Sequence, residues 1–300
     1  VRVHVQVPAS SANLGAGFDC FGLALRLFNE VEVRPATETR ISIVGEGERR
    51  YPRDARNLVY RSLQATLEHL GRPAQPVAIQ QRNAIPTTGG LGSSAAAVVA
   101  GVLAANALCG NPLDRQAVLD LATQIEGHPD NVAPALVGGL TVAVSDGSRV
   151  IVAPVAVPSA LRAALFLPDF TMSTQAARRV LPEVVPRADA VFNLQRSALL
   201  VASMVAGRLD WLGVAMDDRL HQPYRQELFP AMPRFIAAAR EAGAAGACLS
   251  GAGAALLVLF EGSELPILNA LMRVAAQTNV SGRAMVVEIC PHGASVIVSD

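Results

Sequence analysis

The segment Pro86 to Ala96 reads PTTGGLGSSAA and sets three glycines and two serines directly ahead of an apolar run. Unpaired amides at a helix start attract anions, and the helix dipole favours them. Gly89, Gly90 and Gly92 let the backbone approach a phosphate closely. Ser93 and Ser94 can cap the helix or offer hydroxyls to a phosphate or a metal ion. The bland alternative is a tight turn with an ordinary serine cap. A branched side chain at Gly92 is expected to project towards any phosphate held there. The segment is neither a dinucleotide fingerprint, since G-x-G-x-x-G is absent, nor a Walker A loop, since its lysine is missing.

Three further clusters carry polar chemistry. PASSANLGAGFDCFGLAL, residues 8–25, holds Asn13, which can donate and accept, and Asp19, flanked by Phe18, Cys20 and Phe21. A turn-forming Asn and an Asx-type Asp would fit the same spacing. EGHPDNVAPALVGG, residues 126–139, packs Glu126, His128, Asp130 and Asn131 into six positions. A carboxylate there can hold a hard cation. His128 can bind substrate, act as a base or bind zinc, or be a satisfied cap histidine. In the second half, Ser173 and Thr174 precede Arg178 and Arg179, and DDRLHQPYR ends at Arg225. Arginines clamp carboxylate or phosphate bidentately, though many are only solvated surface charges. LSGAGAA, residues 249–255, is a second glycine turn, lying against a site or merely connecting two strands.

The elements that must position these groups follow from periodicity. Residues 1–7 alternate as a strand that Pro8 ends. Strands are expected at 27–34, 40–44, 77–81, 140–145 and 149–155, with a helix from Leu58 to Leu70. The run from Ser93 to Leu108 is apolar all round, as a helix inside a packed core would be. Asn111 is expected to cap a helix that starts at Pro112 and reaches about Ile125. Residues 154–158 are the best boundary. Beyond it, strands are expected at 161–167, 246–249, 255–260 and 284–289, with helices near 174–180, 192–205, 233–242 and 264–277. The mixture is α+β in two halves.

Composition narrows the chemistry. The 300 residues carry 25 basic and 25 acidic side chains, and every basic one other than histidine is arginine. Without lysine, a pyridoxal Schiff base and the protein-kinase strand lysine are both excluded. A net charge of zero argues against nucleic acid as a partner. Cys20, Cys109, Cys248 and Cys290 lack metal-site spacing. The longest apolar stretch, Ala95 to Ala105, is too short to span a membrane, so a cytoplasmic setting is expected.

Three such segments in this order resemble the GHMP kinase superfamily. PTTGGLGSSAA is similar to its phosphate loop and LSGAG to its C-terminal glycine motif. Within it, PASSANLGAGFDCFGLAL, EGHPDNVAPALVGG, FNLQRSALLVAS and LHQPYR resemble the homoserine kinases, and the likeness covers essentially the whole chain. The resemblance implies a two-domain α+β fold with the site between the halves. Residues 1–155 would form a nucleotide-binding half like ribosomal protein S5 domain 2. Residues 156–300 would form a ferredoxin-like α/β sandwich. The implied reaction moves the γ-phosphate of ATP, with Mg²⁺, to the side-chain hydroxyl of L-homoserine, giving O-phospho-L-homoserine for threonine synthesis.

The resemblance also implies roles. Asn57 and Leu58 would lie near the adenine. Pro86, Thr87, Thr88, Gly89, Gly90 and Leu91 would wrap the ATP phosphates together with Gly92, Ser93, Ser94, Ala95 and Ala96. Ser94 and Glu126 would hold Mg²⁺. Asn13, Asp19, His128, Arg178 and Arg225 would bind homoserine, with Asn131 and Thr174 close by. The chain departs from the family at Ala252 and Ala254, where homoserine kinases often carry Ser and Pro. Some superfamily kinases have a basic aspartate in the segment that here supplies Asn131, and an amide cannot take a proton. Asp130 is left as the candidate base. A mevalonate-type kinase would not need two arginines for a carboxylate. A non-catalytic nucleotide binder would not need an intact Ser94, Glu126 and glycine loop. Neither nucleic acid nor membrane is an expected partner, and a homodimer is compatible with the chain.

Overall fold

The alternation Val3, Val5, Val7 buries one face of the first strand, β1 (Arg2–Ala12), and leaves His4 and Gln6 on the other. The computed structural model describes residues 1–87 and 89–299. Pro8 does not end β1. The register shifts between Pro8 and Ala9, and this bulge absorbs the missing N–H while pairing with β2 (Phe21–Pro35) resumes to Ala12. The extra turn of strand is what carries Ser10, Ser11 and Asn13 inward.

β3 (Arg40–Gly45) follows, then α1 (Leu58–His69), β4 (Val77–Asn83), α2 (Ser93–Leu108), α3 (Arg115–Glu126) and α4 (Pro129–Val137). β5 (Leu140–Asp146) and β6 (Arg149–Val155) close the first half. α2 is apolar on all sides because it is covered on all sides, by the sheet and by α1, α3 and α4. Gly101 brings α1 close: a Cβ there would lie 2.5 Å from the Val59 carbonyl oxygen. The helix after α2 starts three residues later than Pro112. Asn111 lies in the left-handed region at φ 61° and caps nothing, while the Asp114 side chain accepts from the Ala117 amide. α4 holds Pro134 within it, which hid the helix from a periodicity reading.

The second half contains β7 (Arg162–Pro168), α5 (Thr174–Arg179), α6 (Arg187–Ala206), α7 (Leu212–Ala215), α8 (Gln222–Arg225) and α9 (Met232–Glu241). β8 (Gly246–Leu249), β9 (Leu256–Phe260), α10 (Leu265–Thr278), β10 (Gly282–Val287) and β11 (Ser295–Ser299) complete the chain. β10, β7, β9 and β8 form a four-stranded antiparallel sheet. Its core includes Phe166, Phe229 and Phe235, whose ring centroids stand 4.4 and 5.8 Å apart. The other sheet has seven strands. Its main order is β11-β1-β2-β4-β3, with β5 also on β2 and β6 on β5; among the described residues only β3 and β4 run parallel. A cut at 155/156 groups β11 with the second half, but hydrogen bonding puts it in the first sheet, with Arg2 opposite Ser299 and Gln6 opposite Ser295. No helix among the described residues is long and apolar enough to cross a membrane.

Candidate active site

Six connections converge on one cavity of about 400 Å³, joined there by α8: β1–β2, β3–α1, β4–α2, α3–α4, the segment before α5, and the β8–β9 turn. The β8–β9 turn is not a bare connection. Ser250 Oγ donates to the Gly90 carbonyl at 2.7 Å, and the Ala255 amide donates to the Gly89 carbonyl at 3.0 Å. The two glycine segments therefore brace each other.

Gly92 sits at the N-terminus of α2 with φ 68°, and no side chain caps the helix. Ser93 and Ser94 do not cap it because their hydroxyls are turned elsewhere. Ser93 Oγ lies 3.1 Å from the Tyr51 hydroxyl, and Ser94 Oγ donates to Glu126 Oε2 at 2.8 Å. The first-turn amides of α2 thus keep their anion-binding capacity. A Cβ on Gly92 would meet Ser10 Oγ at 2.1 Å and Asn131 Oδ1 at 2.9 Å. It would press on the wall behind the loop, contrary to the expected projection towards a phosphate. Ser10 Oγ donates to Asn131 Oδ1 at 2.9 Å, so Gly92 leaves room for a bond that orients Asn131.

Glu126 ends α3, and burial raises its carboxyl above the usual range, against the opposing pull of the Ser94 hydroxyl. Two hard oxygen donors in contact beside the glycine loop suit a small divalent cation, whose charge would offset that burial. One carboxylate is a normal protein share of a Mg²⁺ shell that phosphates complete.

His128 precedes α4, and its Nδ1 lies 2.5 Å from Asp130 Oδ1. That carboxylate raises the imidazole pKa, outweighing burial. Across the cavity, Asn13 donates to the Gly251 carbonyl at 2.9 Å and accepts from the Asp19 amide at 3.0 Å. Asp19 receives a bidentate pair from Arg178, at 2.8 and 2.9 Å. Arg225 is 2 % exposed yet lines the cavity. Its Nε donates to the Ala177 carbonyl and its Nη1 to the Gly251 carbonyl. Burial first, and then the Arg178 charge, lowers its pKa to about 10. Both guanidiniums flank Phe18, at 5.9 Å for Arg178 and 5.4 Å for Arg225. Their like charges make this end of the cavity attractive to an anion.

Of the residues singled out from sequence, the cavity brings together Asn13, Asp19, Asn57, Leu58, Pro86, Gly89, Gly90, Leu91, Gly92, Ser93, Ser94, Glu126, His128, Asn131, Thr174, Arg178 and Arg225. Ala95 and Ala96 do not join them: both are fully buried in the core. Thr87 lines a neighbouring groove instead. Thr88 lies outside the described residues. Asn57 caps α1, accepting from the Tyr60 amide at 3.3 Å and from Gln81 Nε2 at 2.8 Å. It joins an apolar wall of Val31, Pro52, Leu58, Val59 and Ala97. Sequence reasoning missed Ser10, Tyr51 and Asn29 as wall and support. Only tertiary contact reveals them, although the polar PASSAN string offered a hint for Ser10.

A glycine loop at a buried helix start, braced by a second glycine turn between two α+β halves, defines the class. Family models for the GHMP kinases N terminal domain and the GHMP kinases C terminal match residues 57–139 and 200–274. A homoserine kinase of Moorella thermoacetica is 44% identical over 293 residues, covering 98% of this chain and 99% of the relative. One from Deinococcus radiodurans is 42% identical, covering 94% and 92%. The crystal structure of homoserine kinase from Cytophaga hutchinsonii superposes with a TM-score of 0.88 at 32% identity, over 99% of this chain and 97% of that one. The chain belongs to the homoserine kinase family of the GHMP kinases, with their two-domain α+β fold.

Proposed function

We propose that this chain transfers the γ-phosphate of ATP to the side-chain hydroxyl of L-homoserine, giving O-phospho-L-homoserine and ADP. One observation carries the reading: a single cavity joins an uncapped helix start to a carboxylate and two arginines. The first suits a polyphosphate and the second a zwitterion. Family membership supports the same activity.

In this reading the wall at Asn57 and Leu58 takes the adenine, and Pro86 and residues 89–92 with the Ser93 and Ser94 amides wrap the phosphates. Ser94 and Glu126 would hold Mg²⁺, which supplies charge to the phosphate oxygens when bound. Asp19 meets the substrate ammonium, and Arg178 and Arg225 its carboxylate, so the substrate replaces the ion pair that Asp19 and Arg178 make with each other. Asn13, which orients Asp19 through its backbone, and Thr174 at the start of α5 complete this end. His128, held by Asp130, keeps a donor near the acceptor hydroxyl, while Asn131 orients without taking a proton. Phosphoryl transfer depends on in-line positioning and charge stabilisation more than on a strong base. An S5-like first half, a ferredoxin-like second half and a cytoplasmic setting accord with this reading.

The test is a coupled ADP-release assay against a panel of hydroxyl substrates, with mass spectrometry of the product. Phosphate on the homoserine side-chain oxygen is expected. Activity on mevalonate or galactose, with none on homoserine, would overturn the assignment.

A further inference from the structure

We infer that His221 is a positioning residue: as a neutral imidazole protonated only on Nε2, it locks Arg225 to the loop that carries Phe18 and Asp19. The inference rests on the reading that this end of the cavity takes an α-amino acid. His221 is fully buried and does not line the cavity, so it touches no substrate. Two bonds fix its protonation. Arg225 Nη1 lies 3.1 Å from His221 Nδ1, and a guanidinium can only donate, so Nδ1 must present its lone pair. His221 Nε2 lies 2.8 Å from the Gly15 carbonyl oxygen, which can only accept, so Nε2 must carry the hydrogen. An imidazolium would set N–H against N–H at Nδ1.

The surroundings hold that state. Burial and the Arg225 charge pull the pKa down to about 4, against the raising influence of Asp218, the Gly15 carbonyl and Asp19. Asp218 lies 3.5 Å from Nε2, but its oxygens already accept from the Leu220, His221 and Gln222 amides and from Asn193 Nδ2. The imidazole stacks on Phe18 at 5.2 Å and 23°. It therefore contacts the β1–β2 loop at Gly15 and Phe18, and contacts α8 at Arg225. Through these contacts the Arg225 guanidinium and the Asp19 carboxylate keep the separation that a zwitterion's two charges require.

Two measurements decide it. Long-range ¹⁵N–¹H correlation on the unliganded protein should show His221 as the Nε2–H tautomer throughout about pH 5.5 to 8. A charged or Nδ1-protonated ring would overturn the inference whatever the acceptor proves to be. Kinetically, His221→Phe keeps the stack and removes both bonds. KM for homoserine should rise roughly tenfold or more, with KM for ATP nearly unchanged, and His221→Gln should recover part of the loss. A loss shared equally by both substrates, with no recovery in the Gln variant, marks a merely structural role and overturns it. If the Phe variant does not fold, the Gln variant is read against wild type for the same split. Failure of wild type to phosphorylate homoserine would sink the acceptor reading alone, leaving the tautomer measurement to judge His221.

Discussion

Arg225 combines near-complete burial with a lowered pKa and three polar partners, Ala177, Gly251 and His221. Arg225→Ala should weaken homoserine binding by about 2–5 kcal/mol, because one end of a desolvated charge pair is lost. ATP affinity should change little. A decarboxylated analogue, 3-aminopropan-1-ol, isolates the contact. Wild type should discriminate strongly against it and the variant much less; equal discrimination in steady-state kinetics would show that Arg225 does not read the carboxylate. Glu126 makes a second residue-scale case. Its folded pKa is raised, so the native state binds that proton more tightly than the unfolded chain. Ionisation therefore costs native stability as pH rises above the ordinary carboxylate range. Glu126→Gln should raise the melting temperature of the nucleotide-free protein at neutral pH and remove this pH dependence. It should also lower kcat by roughly a hundredfold or more. Calorimetry at several pH values, paired with the kinase assay, checks both signs.

At the scale of elements, the β4–α2 loop is constrained from behind. Gly92→Ala places a methyl against Ser10 Oγ and forces a left-handed φ on an L side chain. The backbone cost alone is about 1–2 kcal/mol. The displaced Asn131 should appear as reduced kcat, while denaturant unfolding reads the stability loss; wild-type stability in the variant would contradict the contact. Local elements such as α1, α2 and the glycine loops were legible because their signals are local: periodicity, apolar run, glycine spacing. The failures have equally specific causes. Asn111 looked like a cap, but Gly110 and Asn111 both take positive φ and delay the helix until Asp114 can cap it. Pro134 masked α4, which packing against β1, β2 and β5 maintains. Ser93 and Ser94 looked like caps because sequence does not show that Tyr51 and Glu126 lie within reach of their hydroxyls. Arg225 was legible as a candidate lining the cavity, yet His221, four residues earlier, was not. Its importance lies in Gly15 and Phe18, some two hundred positions away.

At the scale of the molecule, the site depends on strands that the chain supplies at opposite ends. β1 leads into Asn13, and β11 covers its outer edge. Deleting residues 295–300 should leave β1 as an exposed edge and cost about 2–5 kcal/mol, at roughly 1 kcal/mol per lost ladder bond. The apolar loss should be small, since Val296, Ile297 and Val298 are themselves exposed. Urea unfolding measures the drop, and light scattering should report self-association through the bared edge. An unchanged midpoint would show that β1 does not depend on its partner.

The same strand pairing bears on how the protein is made. A nascent chain emerges from its first residues onward, and Arg2 must wait for Ser299. At typical elongation rates that interval is roughly 15–60 s. Throughout it the first sheet has an unpaired edge, even though α2 and its neighbours have already been synthesised. The first sheet therefore reaches its final hydrogen bonding only after residues 295–299 have been made. Until then the growing chain must be kept from pairing β1 with the wrong strand.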